Sequence, residues 1–181
     1  MKTLAHRAGL KLVDVSITPI HGGSYVFELK HPHHKANTHI AQQIQTEIAE
    51  QRHNVGFYYK FGDNAKHILD QLKQTVNQYK EQGISVVGYG AAAKGMTVLN
   101  ARNIQLDWIV DDNPLKVGSY TPGTNIPIKD RNSLATDKHI VCIPLAWNFF
   151  DEIKNNIEEV RGVNNTTYVR YFPNLEIING E

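Results

Sequence analysis

The chain has 181 residues, 41% hydrophobic and 20% charged, with a formal net charge of +1. That length suits one substantial domain, or one domain plus a piece of another, and the composition is that of an ordinary globule. Near-neutral charge without a Lys/Arg cluster excludes an electrostatic case for nucleic acid, and no apolar run approaches the ~18 residues of a membrane span. The start, Met1 to Arg7, lacks the apolar stretch of a signal peptide, and the single Cys142 excludes an internal disulfide. A cytoplasmic protein is expected.

Leu4, Ala5 and Ala8 predict a helix, with Gly9 as its C-cap. Two turns are too few to be stable alone, so the segment reads as the last part of something longer. Two strand-like runs follow, Leu10 to Ile17 and Tyr25 to Leu29, with a turn through Pro19, His21, Gly22 and Gly23. This helix and antiparallel pair have too little apolar surface for a domain. They must pack on the rest of the chain or on something absent. His31, His33, His34 and His39 match no standard zinc spacing, so a solvated linker is expected, with a boundary near residues 31 to 38. Thr38 then caps a helix with Ile40, Ile44 and Ile48 on one face. A longer helix carries Phe61, Ala65, Ile68, Leu69, Leu72, Val76 and Tyr79 at helical steps. That face is expected to cover a sheet; a homodimer interface is the alternative.

The stretch from Ile84 to Ala101 organises the remainder. Ile84, Val86 and Val87 read as a buried parallel strand. Gly88, Tyr89 and Gly90 make a turn, and Ala91 to Leu99 continue as a helix. The first amides of a helix have no partners within it, and its dipole is positive there. The place suits an anion, with Lys94 as a further charge. Gly88, Gly90 and Ala93 fit the dinucleotide spacing G-x-G-x-x-[G/A], and Asp111 ends the next strand near the expected acidic position. The same small residues also serve simply to let helix and strand pack closely. Lys94 is either solvated or a ligand contact; Tyr89 and Asn100 either face a ligand or pack. The order Lys94-Gly95-Met96 excludes a P-loop.

Beyond Asp111 a loop rich in turn formers runs through Pro122, Gly123 and Thr124. Ile126-Pro127-Ile128 predicts a short edge strand. Ile140 to Ile143 predicts a buried strand that holds Cys142 as a core thiol. Trp147, Phe150, Ile153, Ile157 and Val160 form a helical face, and Tyr168 to Phe172 the last strand. The predicted fold class is α/β: a Rossmann-like, partly parallel sheet flanked by helices, preceded by a helix and β-hairpin.

Two segments, GYGAAAKGMTVLN and VDDNPLKVGSYTPGTNIPI, resemble the C-terminal domain of the SAM-dependent nucleotide-sugar C-methyltransferases. AGLKLVDVSITPIHGGS resembles the stretch that closes the SAM-binding domain of that family, and the likeness extends from Leu4 to Pro173. The resemblance implies that residues 1–32 are the C-terminal edge of a methyltransferase sheet and residues 38–181 the C-terminal domain with a helical lead-in. The family's fuller architecture has a cysteine-ligated zinc module and a SAM-binding domain ahead of it. Here there is no cysteine cluster, no SAM glycine loop before Gly88 and no Tyr-x-Glu-His base motif. At His21-Gly22-Gly23-Ser24 the family often carries an arginine two residues on, where this chain has Val26.

The implied role is therefore a non-catalytic lobe, inactive alone, contributing to a nucleotide-sugar pocket. Its candidate residues are His21, Gly88, Tyr89, Gly90, Ala91, Lys94, Asn100, Asp111, Pro122, Gly123 and Thr124. No catalytic residue, metal ligand or cofactor is assigned to the chain; SAM belongs to the full-length family. The implied partners are a nucleotide sugar and the missing SAM-binding domain or a partner subunit. The alternative is a small NAD(P)-binding oxidoreductase-like domain, resting on Gly88, Gly90, Ala93 and Asp111. It lacks a Tyr-x-x-x-Lys pair. A hydrolase is more distant: His21-Gly22-Gly23 has no G-x-S-x-G elbow to serve.

Overall fold

The computed structural model describes residues 1–20, 23–136, 138–162 and 165–180. The chain divides into two compact units, Met1–Gly62 and Asp63–Glu181. Among the described residues no helix is long and apolar enough to cross a membrane.

The first unit holds α1 (Lys2–Arg7), β1 (Lys11–Thr18), β2 (Ser24–Lys30) and α2 (His39–Ala49). Strands β1 and β2 pair antiparallel, with Val15 opposite Phe27 and Ile17 opposite Tyr25. Ala5, Leu12, Val13 and Ile40 are its buried apolar residues. The outer edge of β1 is covered: Asn37 N–H donates to the Val13 carbonyl at 2.8 Å, and His39 Nε2 lies 2.9 Å from the Val15 carbonyl. The outer edge of β2 has no strand beyond it among the described residues, and Tyr25, Val26, Phe27 and Leu29 are exposed.

Two local expectations change here. His39 does not belong with the linker histidines: it opens α2 and places Nε2 2.7 Å from Asp14 Oδ1. Thr38 takes the N-cap position without a side-chain cap, because its backbone is already helical. His31, His33 and His34 are exposed, and no metal-binding cluster forms among the described residues.

Helix α3 (Val55–Glu81) spans the division, and the second unit is built on a six-stranded sheet. Its strands are β3 (Ser85–Tyr89), β4 (Trp108–Val110), β5 (Ile128–Lys129), β6 (Ile140–Pro144), β7 (Thr166–Arg170) and β8 (Glu176–Asn179). The order is β5-β4-β3-β6-β7-β8, with every pairing parallel except β7 with β8. Helices α4 (Ala93–Arg102) and α5 (Phe150–Arg161) make the crossovers from β3 to β4 and from β6 to β7.

Both faces of the sheet are buried, which is why its central strands read as unbroken apolar runs. On one face Val86, Ile109, Val141 and Ile143 pack with Ile68, Leu72 and Val76 of α3 and Leu99 of α4. On the other, Val87, Val110, Cys142 and Tyr168 pack with Phe150, Ile153 and Ile157 of α5. The apolar stripe of α3 thus covers the sheet through Ile68, Leu72 and Val76, while Phe61 is 64% exposed.

Cys142 is a fully buried thiol, and burial pushes its pKa up. The strand at Ile126–Ile128 sits at the sheet edge as expected, starting at Ile128 after a bridge between Tyr120 and Pro127. Strand β8 was not anticipated. Its four residues are mostly exposed and carry little periodic signal.

The chain leaves β3 toward β4 on one side and reaches β6 on the other. The strand order therefore reverses at β3, and the crevice beyond the carboxyl ends of β3 and β6 is where such sheets receive ligands.

Candidate functional site at the start of the central helix

The turn from β3 into α4 closes that crevice. Gly90 has φ +92, a conformation that side chains oppose. Gly88 and Gly95 are needed for space instead. A Cβ at Gly88 would lie 2.9 Å from Leu145 Cδ1 and 3.0 Å from Ile109 Cγ1; one at Gly95 would lie 2.7 Å from Leu145 Cβ. Close packing alone accounts for these two glycines.

The amides of the turn divide into two groups. Gly90 N–H donates to the Val110 carbonyl at 2.7 Å, and Ala92 N–H to the Gly90 carbonyl at 2.8 Å. Ala91 N–H donates to Asp111 Oδ2 at 2.7 Å. Helix bonding begins with Met96 N–H on the Ala92 carbonyl at 3.1 Å. Ala92, at the N-cap, has no side chain to accept from the first turn. The N–H groups of Ala93, Lys94 and Gly95 therefore have no acceptor among the described residues. Lys94 is exposed, has no carboxylate partner among the described residues, and holds Nζ 5.5 Å from the Trp147 ring centroid.

Asp111 is 8% exposed and engages both oxygens. Besides Ala91 N–H, Oδ2 accepts from Lys116 Nζ at 2.9 Å, and Oδ1 accepts from Asn113 N–H at 2.9 Å. Lys116 Nζ also donates to the Ala91 carbonyl at 3.0 Å. Asp111 is thus a brace for the turn. Three donors, two on Oδ2 and one on Oδ1, together with its burial direct Asp111 inward to the turn, so the arrangement does not favour a dinucleotide or an adenosyl group held through that acid. The NAD(P)-binding alternative is not favoured.

Tyr89 is 3% exposed and packs rather than facing the crevice. Its hydroxyl donates to Asp112 Oδ2 at 2.8 Å, and Arg131 Nε donates to Asp112 Oδ1 at 2.9 Å. Burial, then this bond, pushes the Tyr89 pKa up. The bond from Arg131 holds the Asp112 carboxyl below the ordinary carboxylate range, and the same pair raises Arg131.

Asn100, Pro122, Gly123 and Thr124 meet one another away from the turn. Asn100 Nδ2 donates to the Met96 carbonyl at 2.8 Å and to the Pro122 carbonyl at 3.0 Å. A Cβ at Gly123 would overlap the Asn100 amide. Thr124 Oγ1 lies 2.8 Å from Thr121 Oγ1, and Ile126 N–H donates to Thr121 Oγ1 at 2.8 Å. This clasp lies along α4 from Ala93 by about 10 Å at the rise of a helix. The candidates therefore form two groups: Gly90, Ala91, Lys94 and Asp111 at the turn, and Asn100 with the 122–124 loop. His21 lies outside the described residues.

Three contributors escaped sequence reasoning: Lys116, the Asp112–Arg131 pair and Trp147. For Lys116 and the pair the only signal was position in a loop, or just past a strand, at the carboxyl edge of the sheet; for Trp147 it was helical spacing.

Residues 19–173 match a family model described as the C-methyltransferase C-terminal domain. The chain is also 30% identical over 162 residues to the C-methyltransferase NovU of Streptomyces niveus, covering 87% of this chain and 39% of that protein. It thus spans about two-fifths of the length of that curated relative.

Proposed function

We propose, from the premise that the chain belongs to the C-methyltransferase C-terminal domain family, that it is the lobe receiving the anionic end of a nucleotide sugar. The observation that carries the reading is the start of α4. Three amides without an acceptor among the described residues, and Lys94 without a carboxylate partner among them, stand at the point where the strand order reverses. Helix dipole, amides and ammonium all favour negative charge there.

In this reading the chain binds and positions, and methyl transfer belongs to residues outside it. The carboxyl and phenol groups nearest the turn are committed to structure: Asp111 to Lys116, and Tyr89 to Asp112. None is free to take a proton from a substrate carbon. SAM, expected with the complete enzyme, finds no fitting acid here. Residues 1–32 form the edge of a methyltransferase sheet in a cytoplasmic enzyme. The open edge of β2 and its exposed Tyr25, Phe27 and Leu29 support that assignment. The growth of the sheet is directed past β2, since Asn37 and His39 cover β1.

Calorimetric titration of the purified chain tests the binding role. Thymidine diphosphate is expected to bind, thymidine to bind at least tenfold more weakly, and Lys94→Met to weaken the diphosphate. Absence of diphosphate binding at millimolar concentration overturns the reading. Methyl transfer by the isolated chain, given SAM and a keto-sugar nucleotide, overturns its non-catalytic part.

A further inference from the structure

The groove that follows β6 has no role so far. It is a cleft of about 380 Å³ at the carboxyl edge of the sheet, lined by Trp147, Phe149, Phe172, Asp151 and Glu152 among others. The Trp147 and Phe172 rings lie 4.5 Å apart, tilted by 46°. Phe149 is 47% and Phe172 42% exposed, so ring faces are left in water beside the crevice. In a buried core such rings would be covered; apolar faces grouped at the ligand edge of an α/β sheet call for a flat partner.

Charge gives the partner a direction. Lys94 borders Trp147 on the side of the α4 turn, with Nζ 5.5 Å from its centroid. Asp151 and Glu152, in the first turn of α5, line the groove itself together with Arg170, whose Nη2 lies 3.7 Å from Asp151 Oδ1. A simple anion gains nothing from the rings and meets the Glu152 carboxylate, while Arg170 is engaged with Asp151. A neutral aromatic leaves the Lys94 charge without a counter-charge. A nucleoside diphosphate answers both: its phosphates suit Lys94, its base suits the rings, and its base N–H and sugar hydroxyl donors suit Glu152.

We propose that Trp147 and Phe172 are the base-stacking platform for the nucleoside of a nucleoside diphosphate. The proposal rests on the nucleotide-sugar reading and adds residues to the same pocket. Stacking of a base on an aromatic side chain is insensitive to which base it is, so the platform supplies affinity while leaving the choice of base open.

The test separates this proposal from the reading beneath it. In a Trp108→Phe background, Trp147 is the remaining tryptophan. Thymidine diphosphate is expected to quench its fluorescence, and inorganic pyrophosphate to leave it nearly unchanged. Calorimetry with Trp147→Leu and, independently, Phe172→Leu should show thymidine diphosphate binding weakened about tenfold or more, and pyrophosphate binding unaltered. Phe172→Leu changes a half-exposed ring and is the variant expected to fold without disturbance; far-UV circular dichroism checks both. If both folded variants bind thymidine diphosphate as the wild type does, the platform is refuted while the pocket stands. If the wild-type chain binds no thymidine diphosphate, platform and pocket fall together.

Discussion

Replacing Gly95 by alanine tests how α4 is held at the sheet. The new Cβ would lie 2.7 Å from Leu145 Cβ and 3.3 Å from Leu145 Cγ and Cδ1. Carbon atoms in contact sit about 3.5–4.0 Å apart, so the overlap is about 1 Å. Leu145 Cβ is fixed to the backbone, and no rotamer change removes it. The helix must lift from the strand, and overpacking of that kind costs about 1–3 kcal/mol. Alanine returns about 1 kcal/mol through helix propensity. A net loss of up to about 2 kcal/mol is therefore expected. At a urea slope of about 2 kcal/mol per molar, the midpoint falls by up to about 1 M. Tryptophan fluorescence reads the right transition, because Trp108 and Trp147 both belong to the second unit. Gly62→Ala is the control. It sits in α3 with nothing within 4 Å of its would-be Cβ, so the propensity gain appears without the clash, and a slightly raised melting temperature by circular dichroism is expected. A Gly95→Ala protein stabilised as much as Gly62→Ala would show that the contact with Leu145 does not set the helix position.

Two further outcomes follow from titrating groups. The Asp112 carboxyl is held low by Arg131, so its contribution is present above the unfolded value of about 4 and disappears as pH falls through the folded value. Asp112→Asn should therefore differ from wild type at pH 7 in urea midpoints, by a gap that shrinks as the pH falls below about 4; a gap that stays constant with pH speaks against the pair. The pair is partly exposed, so the gap should be small. Tyr171, buried with its hydroxyl donating to the Leu145 carbonyl at 2.9 Å, has its pKa pushed up to about 12 by burial. Its contribution is full below about pH 10 and is lost as pH rises toward the folded value. Tyr171→Phe should lose about 1 kcal/mol near neutrality and then decline less steeply between pH 10 and 12. Parallel curves over that window would rule this out; Tyr89 and Tyr168, also raised by burial, keep part of the slope in both proteins.

The sequence by itself determined what neighbours along the chain dictate. Ile84, Val86 and Val87 announce a strand buried on both faces, Ile68, Leu72 and Val76 a helix stripe, and Gly90 a turn that only glycine makes easily. Family membership was legible for the same reason, since it rests on residues in order. The three-layer α/β arrangement follows from these local signals because period and burial are coupled. Tertiary structure alone decided which polar groups meet. Asp111 stands where a cofactor ribose would be read, yet Lys116 and the Ala91 amide claim it. Tyr89 is adjacent to the glycine turn but is turned to Asp112. Asn100 and Gly123 are a packing pair, not two independent ligand contacts. A carboxylate or hydroxyl takes the partners that strand order brings within 3 Å, and strand order is a property of the sheet, not of the local string. For the same reason Trp147 gave no sign beyond helical spacing: its ring becomes a surface feature only once β6 lies beside β3 and Phe172 comes to its side.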